Sequence, residues 1–544
     1  MSHAVSPPLG ARPSRTTRTA RHVAAGSPAA DLLRTLWVVW VPLVVLAVGV
    51  AARIRQWAGG RSLWLDEVLI ADNLVSRGFV DLVRRPLSHS QAAPVLWLEL
   101  ERASVELFGA GERSLRLVPL LSGVAVLGLT LLLARAVLPR VLTPIPVGLV
   151  ALQPALIYYS NEVKQYSTDV LVVLVVVLLA LRIRPRTPYG PRLRALAVAG
   201  VVVVWLSHVA VLVLAGVSVV LVLRAGSRRR AVRTALLLSP WLVSLALSYV
   251  TVLRPLTRNQ PLADYWGYTF PRSGSDVPAW FARRWYDLAA TPLHMSVRLV
   301  GLVLLACGLV RLLTSRPRAG SLVWAAVPMA LLAAGLSAYP FAGRLALWLV
   351  PLAAVTVAAA LPVSLRRGGG AWLLAGTAAM TVVFAPSVRQ AVALTHTVQE
   401  VEELRPLLQQ FAQARRPGDL AYVEVATREA FEYYARSTGV TRDGVILFVP
   451  RVARACDDIP ALNAGRFASE RVWVIGSHRL VDVARLGTRE DLLARIRTVS
   501  REVEHLHATR ADAYLFDPST GAEQPRQVVA RNPERCLAIV RSSR

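Results

Sequence analysis

The chain alternates long apolar runs with loops that are either rich in arginine or close to neutral, and this alternation constrains its fold more than any other feature. Apolar stretches of spanning length fall at about 33–52, 114–134, 141–158, 169–181, 195–207, 208–223, 235–252, 298–313, 321–338, 345–363 and 371–388. With 54% apolar residues and a mean hydropathy of +0.46 over 544 residues, the pattern suits a mainly α, polytopic bundle of about eleven membrane helices. An ordinary soluble domain is excluded.

A formal net charge of +28 invites a nucleic-acid reading, so the placement of the charge matters. Threading the spans with the N-terminus in the cytoplasm collects 22 arginines on one side, against the single acid Asp31. They lie before the first span (Arg12 to Arg34), at Arg135 and Arg140, within 182–194 and 224–233, at Arg311, Arg316 and Arg318, and at Arg366 and Arg367. Such a bias fixes orientation in a cell membrane. The loop 53–113, the loop near 158–168, the loop 254–297 and everything from Arg389 onward then face outward.

Those outer segments are nearly neutral, with 8 acids against 8 arginines in 53–113 and 20 against 23 from Arg389 onward. No nucleic-acid partner is expected. Residues 1–32, rich in Pro, Ser, Thr and Arg, read as a flexible cytoplasmic tail. No small-residue cleavage site follows them, so the first span is expected to be a retained anchor.

Residues 33–388 form the expected transmembrane catalytic domain. Within the first outer loop, Pro94–Leu100 and Leu107-Phe108 have helical character, which predicts short helices along the membrane surface. Beyond the last span the texture changes to short apolar runs at 420–425, 445–449, 471–475, 513–516 and 537–540, separated by charged helical segments. Residues 389–544 therefore read as an extracytoplasmic α/β domain. It carries no Gly-rich phosphate loop and no evident metal-spaced Cys/His cluster, so a structural or acceptor-guiding role is expected. Cys456 and Cys536 lie in this domain, where oxidising conditions permit a disulfide, whereas Cys307 lies within a span.

Four outward-facing features carry chemistry. Asp66-Glu67 follows the first span; adjacent residues on a helix point about 100° apart, so the two acids serve different roles. Acids at a helix N-terminus are also favoured by the macrodipole alone. The second feature is Tyr158-Tyr159-Ser160-Asn161-Glu162-Val163-Lys164-Gln165-Tyr166, which contains the only lysine in the chain. A compact ammonium meets phosphate as a point charge. Tyr339-Pro340-Phe341-Ala342-Gly343-Arg344 places a cation in an outer turn, either to bind an anion or to snorkel to headgroups. The last is Ser207-His208, in a tight turn between spans, either a structural hydrogen-bonder or part of a donor site.

The order of these features resembles the GT-C superfamily of integral-membrane glycosyltransferases, in its protein O-mannosyltransferase and aminoarabinose transferase branch. The resemblance rests on Leu65-Asp66-Glu67 after the first span, His89-Ser90-Gln91-Ala92-Ala93-Pro94 in the surface loop, Gly111–Pro119, Tyr159–Tyr166, and Tyr339-Pro340 with Arg344. It implies inverting transfer of a sugar from a polyprenyl-phosphate carrier to an acceptor on the outer face, an envelope glycan, lipid or protein. Asp66 would be the general base, with Glu67 positioning the acceptor or the base. Lys164, Arg344 and His208 would hold the donor phosphate, and Glu162, Tyr166, His89 and Gln91 would contact substrate. No metal is required by this chemistry, since cationic side chains can neutralise one phosphate, although a divalent cation is compatible with it. The resemblance stops at the fuller first-loop motif of the protein mannosyltransferases, which is missing.

A transporter or flippase of envelope precursors is the competing class. It predicts acids within the spans and an internal repeat. The acids here avoid the spans apart from Asp169 near an outer end, and the second half does not repeat the first.

Overall fold

The structure, a computed structural model, describes residues 28–183, 190–254, 260–362, 369–448, 470–477, 489–497 and 500–518. All eleven apolar runs contain helix. Six of them give helices long and apolar enough to cross a membrane: Leu36–Ala58, Leu117–Val137, Arg228–Val252, Arg298–Ser315, Pro317–Gly335 and Leu374–His396. The others give shorter apolar helices, among them Tyr166–Arg182, Pro191–Leu206, Ala210–Leu223 and Leu349–Ala359. The protein is thus a multi-pass membrane protein, and its helices carry exposed apolar side chains such as Leu121, Val243, Leu299 and Leu374.

One expected span, 141–158, is broken, and the break has a chemical cause. Pro154 forces Gln153 into an extended conformation and supplies no N–H, so the run splits into helices Pro144–Ala151 and Pro154–Tyr159. The freed carbonyls of Val150 and Ala151 are taken by the buried Arg53 guanidinium, at 3.4 and 3.2 Å, a cation where the helix dipole favours one. The expected loop start at 53 is six residues early, because Leu36–Ala58 continues as helix past Arg53.

Without a hydrophobic drive between helices in lipid, close approach depends on small residues. A Cβ on Gly216 would overlap the carbonyl oxygen of Ala325, and one on Gly308 would overlap that of Thr356. Gly123 does the same for the site, since a Cβ there would overlap Ser160. Helix Leu117–Val137 thereby lies flush against the segment that carries Glu162 and Lys164.

The C-terminal region forms one five-stranded sheet with β1 (Leu420–Glu424), β2 (Val445–Phe448), β3 (Val472–Gly476), β4 (Ser500–Ala508) and β5 (Ala511–Pro518). The order is β2-β1-β3-β5-β4, with β2, β1 and β3 parallel and β5 and β4 antiparallel. Four of the expected strands are present, within a residue or two at their ends. The run at 537–540, Cys456 and Cys536 lie outside the described residues. β4 escaped sequence reading because Glu502, Glu504, His505 and His507 give it a mostly exposed, polar course at the sheet edge.

The loop after the first span and this sheet share a single hydrophobic core. Leu63, Val68, Ile70, Leu74, Trp97 and Leu115 pack in the same cluster as Leu404, Leu408, Phe411, Phe431, Trp473 and Leu515. Polar contacts lock the seam: the Leu63 N–H donates to the Tyr434 hydroxyl at 2.6 Å, and the Glu403 carboxylate accepts from the Ser62 N–H and hydroxyl. Arg405 pairs with Glu112 and donates to the Gly60 carbonyl. The loop that carries the acidic pair is therefore braced from both sides, by the bundle and by the sheet.

Candidate functional site

Helix Leu65–Ser76 begins at Trp64, whose extended backbone turns the chain so that Asp66 and Glu67 occupy the first turn. Glu67 reaches back to the Trp64 N–H at 3.3 Å, the return half of a capping box. The two acids then diverge, as helix geometry requires.

Glu67 points into the protein and is fully buried. Arg116 clamps it with Nε at 2.8 Å from Oε1 and Nη2 at 2.7 Å from Oε2. Arg61 donates at 3.2 Å, and the Val163 N–H at 2.9 Å. Burial opposes ionisation of Glu67, yet the two guanidiniums and these hydrogen bonds hold its carboxyl below the usual range. Arg116 also donates to the carbonyls of Arg61 and Ser62, and Arg61 to that of Asn161. One carboxylate thus ties the Asp66 loop to the segment 160–166.

Asp66 points the other way and stays partly exposed. Its Oδ2 lies 2.8 Å from Arg344 Nη1, with both side chains about one-fifth exposed. The Arg344 guanidinium sits 5.7 Å from the Tyr166 ring centroid and 5.8 Å from that of Trp266, so two aromatic faces hold the cation in place. Tyr158, Tyr159 and Tyr166 stack edge to face at 5.0 and 5.3 Å behind it.

Lys164 is almost completely buried and donates to Gln91 Oε1 at 2.8 Å. Gln91 in turn donates to the His89 carbonyl at 3.3 Å, in a turn where His89 and Ser90 both take positive φ. Burial pushes the Lys164 ammonium below its ordinary pKa, opposed by Asp66, Glu162 and Glu67 and assisted by Arg344. Glu162 is fully buried, and no described group hydrogen-bonds its carboxylate. Burial, reinforced by Glu67, pushes it up to about 7 against the pull of Arg344, Arg61 and Lys164.

The structure therefore brings together Asp66, Arg344, Tyr166, Lys164, Gln91, Glu162 and Glu67. It does not bring in His89, whose ring faces Asp72 at 3.8 Å instead. Among the described residues no hydrogen bond or ion pair joins His208 to this group. Its neighbour Ser207 donates to Asp169 at 2.5 Å.

Sequence reading passed over Arg61, Arg116 and Trp266. The argument that singled out Arg344, a cation where the arginine bias gives no reason for one, applies equally to Arg61 and Arg116; the balanced charge of loop 53–113 hid Arg61, and Arg116 fell inside the expected span 114–134. It also found no ligand cluster in the C-terminal region, and this is corrected by His505, His507 and Asp512, whose ligand atoms all lie within 4.8 Å of one another. The signal was His-x-His, which puts both imidazoles on one face only if the segment is a strand.

No protein-family model matches the chain, and no curated protein matches it. Among solved structures it is similar to ArnT from Cupriavidus metallidurans bound to undecaprenyl phosphate, at 14% identity and a TM-score of 0.50, over 90% of this chain and 100% of that one. The apo state of the same protein gives 16% identity and a TM-score of 0.47, over 91% and 100%. The Archaeoglobus fulgidus oligosaccharyltransferase in complex with zinc and sulfate gives 13% and 0.47, over 87% of this chain and 72% of that one. The chain shares the fold of that ArnT structure over nearly its whole length.

Proposed function

We propose that this protein is an inverting glycosyltransferase that takes a sugar from a polyprenyl-phosphate carrier and transfers it to an acceptor at the outer face of the membrane. The observation that carries the reading is the charge arrangement beside Asp66. Arg344, Lys164, Arg61 and Arg116 surround Asp66, Glu67 and Glu162, and one of those acids titrates near 7. The group therefore holds more positive than negative charge at neutral pH. A phosphate entering from the membrane side would complete it.

In this reading Arg344 and Lys164 receive the phosphate, fork and point charge respectively. Phosphate competes with Asp66 for Arg344, and the carboxylate so released faces the acceptor hydroxyl. The acceptor oxygen bonds to the anomeric carbon as the bond from that carbon to the phosphate oxygen breaks. Its proton passes to Asp66, and the lipid phosphate leaves with its charge met by the two cations. Glu67 is a positioning residue, and Gln91 sets the Lys164 ammonium. Tyr166 and Trp266 hold the Arg344 fork. Glu162 tunes the local charge, and no step calls for a metal.

Residues 33–388 would form the catalytic domain and 389–544 the outer domain bracing it, with residues 1–32 in the cytoplasm. The arginine bias supports that orientation. Membrane-impermeant labelling of cysteines placed after residue 389 is expected in intact cells, and labelling only after lysis would reverse it. For the reaction, mass spectrometry of cells lacking the gene should show a polyprenyl-phosphate-linked sugar accumulating, and an unchanged pool of lipid-linked sugars would count against the proposal.

A further inference from the structure

On the far side of the C-terminal sheet from its seam with the loop, three side chains converge on one point. His505 and His507 stand two apart on the edge strand β4, so both imidazoles lie on the same face. β5 follows after the two-residue turn Thr509-Arg510, which pairs His507 across from Asp512. His505 Nε2 lies 3.0 Å and His507 Nδ1 2.8 Å from the same oxygen, Asp512 Oδ1.

Two of the three are held from behind. Asp512 Oδ2 lies 3.1 Å from Arg489 Nη1, and Arg489 is fixed by a two-point bond to Glu424 at 2.6 and 2.8 Å. The His505 ring is stacked on Tyr514 with centroids 4.2 Å apart. Outer contacts of this kind orient ligands and fix which nitrogen is free to bind. The Asp512 side chain is 11% exposed, whereas His505 and His507 are 39% and 67% exposed, so the point of convergence opens to solvent.

We propose that His505, His507 and Asp512 form a zinc site in the C-terminal region. The two ring nitrogens and the carboxylate oxygen supply three ligands of the borderline type that zinc prefers, where calcium or magnesium would demand oxygens. Tetrahedral ligands at ~2.0–2.1 Å from zinc are spaced roughly 3.3 Å apart, so each ring nitrogen moves off Oδ1 by a fraction of an ångström, while the two nitrogens, which lie within 4.8 Å of each other, draw in on the ion by rotation of the exposed rings. The ion takes the place of the two protons that the imidazoles otherwise direct at Oδ1. Water fills the fourth position.

The site has a structural consequence. It rivets β4 to β5 beside the turn whose Thr509 carbonyl accepts the Glu403 N–H at 2.9 Å, and Glu403 is the residue whose carboxylate holds Ser62. Zinc would thus clamp the hairpin that braces the Asp66 loop.

The test uses the full-length protein purified in detergent and stripped with chelator, titrated with cobalt(II) and then zinc. The expected result is one cobalt per chain with a visible d–d band, displaced by zinc, and at least about tenfold weaker binding in the His505→Ala/His507→Ala double variant. His507→Gln, at the most exposed ligand, provides a variant whose fold is spared. Chelator-treated wild type and variants should unfold at the same temperature, while zinc raises that temperature only for wild type. Equal zinc binding by wild type and both variants, or no saturable binding by wild type, would reduce the cluster to hydrogen bonds between two histidines and an aspartate.

Discussion

Asp66 and Glu67 are adjacent in the chain and open onto opposite kinds of environment. On the Glu67 side lies a closed region in which each carboxylate oxygen is met by guanidinium or backbone donors and the surrounding side chains are buried. On the Asp66 side lies an open region with one strong contact, to an arginine that is itself still partly exposed, and beyond it a buried lysine and an unpartnered carboxyl. A saturated network of this sort fixes geometry and has nothing left to offer a ligand. The half-satisfied one retains donors and charge for something that arrives. The comparison separates brace from chemistry at single-residue resolution, and substitutions should separate them too.

The largest effect belongs to the open side. Asp66→Asn should lower transfer by ~10²–10⁴-fold, the usual contribution of a positioned general base, with expression and unfolding temperature close to wild type. A variant retaining more than about a tenth of the activity would remove Asp66 from the role. Glu67→Gln should show the reverse pattern. It strands Arg116 and Arg61 in a buried site, a loss of roughly 3–5 kcal/mol when one partner of a buried pair is removed. Thermal unfolding in detergent reads this as a large drop in stability. A variant of unchanged stability with a lost turnover rate would move Glu67 from brace to chemistry.

Glu162 sits between the two regions and should report on pH. Its folded-state pKa of about 7 stands above its ordinary 4.5, so between those values the folded protein binds the proton that the unfolded chain has released. Stability contributed by this group is complete below about 4.5 and is lost as pH rises toward 7 and past it, by up to roughly 3 kcal/mol. Glu162→Gln should flatten unfolding temperature across that window. A profile identical to wild type would mean that Arg344, Arg61 and Lys164 keep Glu162 ionised throughout.

Much of this was legible in the sequence, and the parts that were not share a cause. Apolar runs mark helices because the lipid leaves the backbone no other option, and Asp66, Lys164 and Arg344 stood out because each breaks a local rule of charge placement. Arg116 and Arg61 break the same rule, but Arg61 was counted in a balanced loop and Arg116 was absorbed into the expected span 114–134, and each meets Glu67 only after folding, across 49 residues of chain for Arg116 and 6 for Arg61. Pro154 shows the opposite failure: its helix-breaking tendency was visible, yet an apolar window averages over it. β4 and its histidines were missed because a bulge between Glu502 and Glu504 breaks the alternation and leaves only a short stretch in which Leu506 and Ala508 are half-buried against the core.

The smallest effect is also the one that tests whether the open region is a phosphate site at all. Lys164 donates to Gln91 at 2.8 Å, which by itself is compatible with a structural hydrogen bond between the loop after the first span and the segment 158–168. Its burial argues otherwise. A nearly inaccessible ammonium with a single neutral acceptor leaves two of its three N–H donors without a strong partner, and a hydrogen bond to a charged group contributes about 1.5–3 kcal/mol. A lipid phosphate at this position would supply that group, so Lys164→Ala should weaken binding of polyprenyl phosphate by roughly 10–100-fold and leave binding of the uncharged polyprenol unaltered. Gln91→Ala should weaken it less, since the ammonium remains and loses only its tether. Equal affinity of wild type and Lys164→Ala for the phosphate lipid would make the Lys164–Gln91 pair a second brace, and Arg344 alone would then define the open side.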